Sequence, residues 1–461
     1  MNLPFRVSAA SLLVALGLLA LAIAPLGGKA RGESPISIPL TGPLADYVAK
    51  PDAAYKWTKK SEGEIAGTKY VEVILTSQTW KDITWKHQLF LIKPAKCRAD
   101  AKHALLFITG GGWNDNLEKP GQSKLPRETP LFISMADKLE TPIAILLHVP
   151  QQPIFDGKTE DQIIAYTFDK YLRTDDSTWP LLCPMVKSAV RGMDATEEIC
   201  KQEWGLEIDT FTLSGASKRG WTTWLTGAVD KRAVAIAPMV IDTLRMDKQM
   251  TLQKESFGDL SEEINDYKEL DLHKMVSTQK GKSLLSIVDP YSYRSHFTQP
   301  KLIILGTNDP YWPLEALNLY WQDLPGDKFI LYCPNNVHGL KDYPRIFGSL
   351  RALHHKVIAN KTLPKLDWDF TPGDDKLLLK VKSDLKPSKV TVWSASAKTK
   401  DFRQAVWTSA ESDVAGDSFV GRLPTPEEGY SAMFAEFVFE DETETPYFFS
   451  TQLKMIGAKQ Q

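Results

Sequence analysis

Between residues 70 and 335 the chain alternates short apolar runs rich in β-branched and aromatic residues with longer helix-like stretches, and few folds accept that order. The runs are "YVEVILTSQ" (70–78), "WKHQLFLIKP" (85–94), "HALLFITG" (103–110), "PIAILLHVP" (142–150), "DTFTLSG" (209–215), "AVAIAPMVI" (233–241), "KLIILGTND" (301–309) and "KFILYCPN" (328–335). The first two alternate polar and apolar residues, as an antiparallel edge with one solvated face would. The later ones are nearly continuous apolar runs, as parallel strands covered on both faces require. Helical patterns fall between them at 128–140, 159–174, 180–203, 218–230 and 313–324. The expectation is a doubly wound, mostly parallel eight-stranded α/β sheet.

Two further regions depart from this alternation. Residues 242–300 loosen into charged and aromatic segments, an insertion placed to cap a site as a lid. After "LPKLDWDF" come six short runs broken by Pro, Gly, Asp and Ser, the spacing of a β-sandwich of immunoglobulin or fibronectin III type. The division expected is a signal segment at 1–30, an α/β domain at 31–362 and a sandwich at 363–461.

The N-terminus has Arg6, an apolar stretch from Ala9 to Ala24 and then small residues, the order of a secretory signal, with cleavage expected after Ala30. Export, to a periplasm or the exterior, follows, with membrane contact limited to that segment before cleavage. Nowhere else does an apolar run approach the ~20 residues of a membrane span. A formal charge of −2 with 24% charged residues gives no basis for binding nucleic acid. The four cysteines form no C-x-x-C pair, so no zinc site is expected; in an oxidising compartment Cys183 and Cys200 would close the shortest disulfide loop.

Chemistry concentrates at "LSGASKRGW". Ser217 lies between a strand and a helix with Gly215 and Ala216 before it, the setting of a nucleophile elbow. The common G-x-S-x-G form has glycine two places after the serine; here Arg219 stands there and Gly220 follows. An elbow serine needs an acid and then a histidine from the ends of later parallel strands. Asp309 ends "LIILGTND", and His338 lies in the loop after the next strand, so both arrive in the required order. The oxyanion donors expected are the N–H of Lys218 and one from Gly111, Gly112 or Trp113, in the glycine-rich "FITGGGWN". Trp113, Tyr311 and Trp312 are candidates for an apolar substrate pocket. Glu160 and Asp161, at a helix start, are expected first to complement the helix N-terminus by charge; the sharper alternative is an acidic grip on a substrate amine. Such a triad needs no metal and no organic cofactor.

Several stretches, "FITGGGWN", "EDQIIAYTFDKYLRT", "WPLLCPMVKSAVRGMDA", "LSGASKRGWTTWLTGAVDKR", "DPYSYR", "LGTNDPYW" and "PNNVHGL", resemble the PhoPQ-activated pathogenicity-related protein family of exported α/β hydrolases, over about residues 40 to 440. That resemblance makes G-A-S-K-R-G-W a family form of the elbow, and it implies triad roles for Ser217, Asp309 and His338. It also implies an α/β-hydrolase fold and cleavage of an ester or amide in a small-molecule or peptide substrate. The competing expectation is a secreted binding or signalling protein that keeps this fold without turnover. The sandwich is a candidate binder of a glycan or protein, with Trp393 or Trp407 as candidate contacts, although core packing is the role expected first for both.

Overall fold

The computed structural model describes residues 40–119, 129–442 and 445–459. The expected signal segment, and the first residue of the helix expected at 128–140, lie outside them. A central sheet is built from β1 (Lys56–Ile65), β2 (Thr68–Trp80), β3 (Ile83–Lys93), β4 (His103–Ile108), β5 (Ile143–Leu146), β6 (Thr210–Ala216), β7 (Ala233–Met239), β8 (Lys301–Gly306) and β9 (Lys328–Cys333). Its order is β1-β2-β3-β5-β4-β6-β7-β8-β9. Pairing is antiparallel from β1 to β5 and parallel from there on. This is the α/β-hydrolase arrangement with one additional strand at the antiparallel edge.

That additional strand corrects the expected count of eight. In β1 the sequence "KWTKKSEGEI" is mostly exposed and carries no apolar run, so it owes its strand to pairing with β2 rather than to its own hydrophobicity. Nor do β2 and β3 present a solvated face: Glu72, Gln78, His87 and Gln88 are buried. Glu72 is satisfied there by Lys60 at 3.3 Å and by donors from Ser61 and Gln88, each at 2.8 Å. At 313–324 the expected helix is replaced by two short 3₁₀ turns, Ala316–Leu319 and Trp321–Asp323.

The helix Leu182–Trp204 carries both Cys183 and Cys200. Seventeen residues of helix separate the two by about 25 Å, far beyond disulfide reach. All four cysteines are unpaired.

The insertion after β7 folds into the helices Met246–Phe257, Asn265–Glu269, Leu272–Met275 and Gln279–Val288. Beyond the helix Tyr343–Ala359 lie β10 (Leu366–Pro372), β11 (Lys376–Ser383), β12 (Lys389–Ala397), β13 (Thr408–Glu411), β14 (Asp413–Ala415), β15 (Ser418–Pro424), β16 (Tyr430–Glu440), β17 (Pro446–Ser450) and β18 (Lys454–Gly457). They form two antiparallel layers. One, β10-β11-β15-β14, is a separate sheet; the other, β17-β16-β12-β13, extends the central sheet where Ser450 of β17 pairs with Ile330 of β9. Leu379, Val392 and Phe437 share one buried cluster with Leu302 and Leu331 of the central sheet. Trp407 is buried against Phe402 and Phe434, and Trp393 packs under the Arg345 guanidinium. Both pack against neighbouring side chains, the role expected first for them.

Candidate active site

Ser217 sits at the turn between β6 and the helix Lys218–Val229, with φ 58° and ψ −126°. A non-glycine residue holds positive φ only where its surroundings force it, as a nucleophile elbow does. Close packing enforces the turn. A Cβ at Gly215 would lie 2.7 Å from the Arg219 carbonyl oxygen, and one at Gly220 would lie 2.8 Å from that of Met239. Gly220 therefore meets the need for a bare backbone after the serine, which frees position 219 to carry a side chain.

Three residues from three strand ends converge. The Ser217 Oγ is 2.8 Å from His338 Nε2, and His338 Nδ1 is 2.9 Å and 3.1 Å from the two carboxylate oxygens of Asp309. The Tyr311 N–H donates to Asp309 Oδ1 at 2.9 Å, and the Tyr311 ring lies over the imidazole with centroids 4.1 Å apart. This hydrogen-bonded chain can carry a proton from serine to imidazole while the carboxylate fixes the tautomer.

The loops holding Asp309 and His338 are braced from the C-terminal region. Asn308 donates to the carbonyls of Phe402, Arg403 and Ala405, the shortest bond being 2.7 Å. Asn335 exchanges two hydrogen bonds with the Trp407 backbone, at 2.8 Å and 2.9 Å. Arg403 in turn reaches Glu262 of the insertion at 2.9 Å. None of these bracing contacts is visible in sequence, because they join asparagines to backbone more than 70 residues away.

Three of the expected roles are corrected. The Trp113 N–H is spent on the Gln152 carbonyl at 2.7 Å, so it is not an oxyanion donor. The N–H groups of Lys218, Gly111 and Gly112 have no hydrogen-bond partner among the described residues. Gly111 has φ 120°, which suits glycine alone. The Trp113 indole also turns away, to Asp115, and does not line the pocket beside Ser217, whereas Tyr311 and Trp312 do.

Glu160 and Asp161 are already occupied. Arg219 grips Glu160 through two hydrogen bonds of 2.8 Å, and its Nε donates to the Val149 carbonyl. Burial pushes the Glu160 pKa up, but the Arg219 hydrogen bonds and charge outweigh it and hold the group down at about 2. Lys218 Nζ is 2.7 Å from one Asp161 oxygen, and the Tyr267 hydroxyl donates to the other at 2.9 Å. The two carboxylates clamp the elbow to the helix Glu160–Thr174 instead of awaiting an amine.

One group escaped sequence reasoning. Asp242, just after β7, is fully buried and lines a small cavity with Asp309; the Tyr320 hydroxyl donates to it at 2.7 Å. Burial, with the Asp309 charge adding to it, pushes its pKa up to about 7. The only sequence signal was its place after a parallel strand, where sites of this fold gather.

The family model for PhoPQ-activated pathogenicity-related protein matches residues 44–403. Autocrine proliferation repressor protein A of Dictyostelium discoideum is 33% identical over 383 residues, covering 78% of this chain and 76% of that protein. Among solved structures, acetyl xylan esterase 1 from a Thermoanaerobacterium species is 13% identical, with a TM-score of 0.45 over 65% of this chain and 87% of its own. An S-formylglutathione hydrolase from Agrobacterium tumefaciens is 12% identical, with a TM-score of 0.42 over 66% and 99%.

Proposed function

The chain belongs to the PhoPQ-activated pathogenicity-related protein family, and we propose that it is an exported serine hydrolase cleaving an ester or amide through an acyl-enzyme. The observation that carries this reading is the unbroken hydrogen-bond chain from Ser217 through His338 to Asp309, opening on an apolar pocket. Export rests on the order of residues 1–30.

In this mechanism His338 Nε2 takes the Ser217 proton as Oγ attacks the carbonyl carbon. Asp309 holds Nδ1–H and stabilises the imidazolium. The N–H of Lys218 and that of Gly111 or Gly112 receive the oxyanion, where one donor is worth about 3 kcal/mol. Imidazolium then protonates the leaving alcohol or amine, and water, deprotonated by the same histidine, releases the acid. Protein groups suffice for every step.

A second reading, a secreted signalling protein without turnover, draws on the name of the Dictyostelium relative. Fluorophosphonate labelling of the wild type and of Ser217→Ala, followed by intact mass, separates the two. One adduct on the wild type and none on the variant is expected; no adduct on a folded wild type would favour the second.

A further inference from the structure

We propose that the pocket beneath the insertion is an acyl site, and that the substrate is an uncharged ester with an aliphatic acyl chain of medium length; this deepens the serine-hydrolase reading and rests on it. The pocket begins at Ser217 and His338 and runs under the insertion helices, and nearly all of its lining is apolar, as small-molecule sites are. Its lining includes Met246, Met250, Leu272, Met275 and Leu284 from the insertion, together with Phe168. Methionine side chains, unbranched and polarizable, adapt to a flexible guest as rigid aromatic walls do not.

Charge narrows the guest further. The ionic groups at the pocket, Asp161 and Lys218, neutralise each other at 2.7 Å, and Tyr267 takes the remaining Asp161 oxygen. His273 is kept toward its neutral form by burial and then by the nearby Lys274 charge. A carboxylate, phosphate or ammonium group entering here would lose its hydration with no counter-charge to replace it.

The order of events in catalysis assigns the pocket to the acyl half. After attack, the alcohol departs at once while the acyl group stays bonded to Ser217 Oγ until water arrives. A recess roofed by helices suits the part that stays, and the open mouth suits the part that leaves.

The test is turnover of p-nitrophenyl esters from acetyl to palmitoyl by the purified full chain. Each buried methylene is worth at most about fourfold. We expect kcat/KM to rise at least tenfold from acetyl to octanoyl or decanoyl. Met250→Trp and Leu284→Trp, each checked for folding by thermal melting, are expected to lower the decanoyl-to-butanoyl ratio at least fivefold. Should both variants fail to fold, labelling of wild-type Ser217 by p-nitrophenyl alkylphosphonates of rising chain length gives the same readout. An acetyl optimum, a ratio unmoved by both substitutions, or preference for peptide amides would overturn the acyl site while leaving the serine hydrolase standing. Absence of turnover on every ester together with an unlabelled Ser217 would overturn both.

Discussion

On the sheet side of the site, charged and polar groups are held in fixed pairs: Arg219 on Glu160, Lys218 on Asp161, His338 on Asp309, and Asn308 and Asn335 on the backbone of 402–407. Across the pocket, the insertion contributes mainly thioether and aliphatic side chains, with Tyr267 alone among the described lining residues bonding across to the sheet side, at Asp161. A wall of directional bonds fixes where atoms sit; a wall of apolar volume fixes only what size of guest fits. Changes to the first should alter rate and stability, and changes to the second should alter selectivity.

Ser217→Ala is the most severe break. It removes the proposed nucleophile, a loss that costs about 10⁶-fold in kcat in a serine hydrolase. The apolar wall is untouched, so binding of a non-hydrolysable decanoyl analogue, followed by calorimetry, is expected to change less than threefold.

Arg219→Met tests the clamp. It leaves Glu160 with only Gln152 at 2.6 Å and Lys218 at 3.4 Å, and because that side chain is 38% exposed the loss is discounted from the several kcal/mol of a fully buried pair to about 2 kcal/mol. Urea unfolding measures it, and kcat is expected to fall about tenfold as the loop at Gly110 loosens, since Gly110 packs directly against the guanidinium. The pH dependence has a defined sign. The Glu160 pKa, depressed to about 2, gives stability that is complete above the ordinary value of 4.5 and is lost as pH falls toward 2. The variant is expected to lose that acid limb, and Glu160→Gln in the same background to recover part of the stability.

What the sequence disclosed follows the same division. Ser217, Asp309 and His338 were legible because each follows a strand whose apolar run is itself visible, so local pattern located all three. The G-A-S-K-R-G-W stretch then tied them to a family. Lys218 and Asp161 are 57 residues apart, and nothing local announces their pairing, so helix-end charge or an amine grip was expected where a clamp exists. In "PLEALNLYWQDL" the spacing is helical, yet Ala316, Leu317, Tyr320 and Trp321 are buried in a tight corner and the chain takes 3₁₀ turns. The pocket was the least legible, because helices with no motif in common assemble it.

Asn335→Ala removes one brace from the histidine loop and leaves the Trp407 N–H and carbonyl unpaired. About 1 kcal/mol of stability and a roughly tenfold lower kcat with KM unchanged are expected, from steady-state kinetics and thermal melting. A change in KM instead would mean that the brace shapes the pocket rather than the triad.

Asp242 lies at the seam between the two walls, where β7 hands over to the insertion, and it offers the finest test. Its carboxyl is buried beside Asp309 and keeps its proton up to about pH 7, whereas in the unfolded chain it ionises near the ordinary 3.8. Between those values the unfolded state binds fewer protons than the native state. Stability from this group is therefore complete below about pH 4, declines as pH rises and is gone above 7. Buried His87 and His103, both pushed down to about 3 by burial, act in the opposite sense and remove stability as pH falls below 6.5. Asp242→Asn keeps an acceptor for the Tyr320 hydroxyl and deletes only the ionisable group. It is expected to add about 1 kcal/mol at pH 8 and nothing at pH 4, flattening the alkaline side of a plot of melting temperature against pH while leaving the acid side, which belongs to the histidines and Glu160, as it was. A uniform shift at both pH values would mean that Asp242 acts through packing alone, and the seam would then belong to the apolar wall.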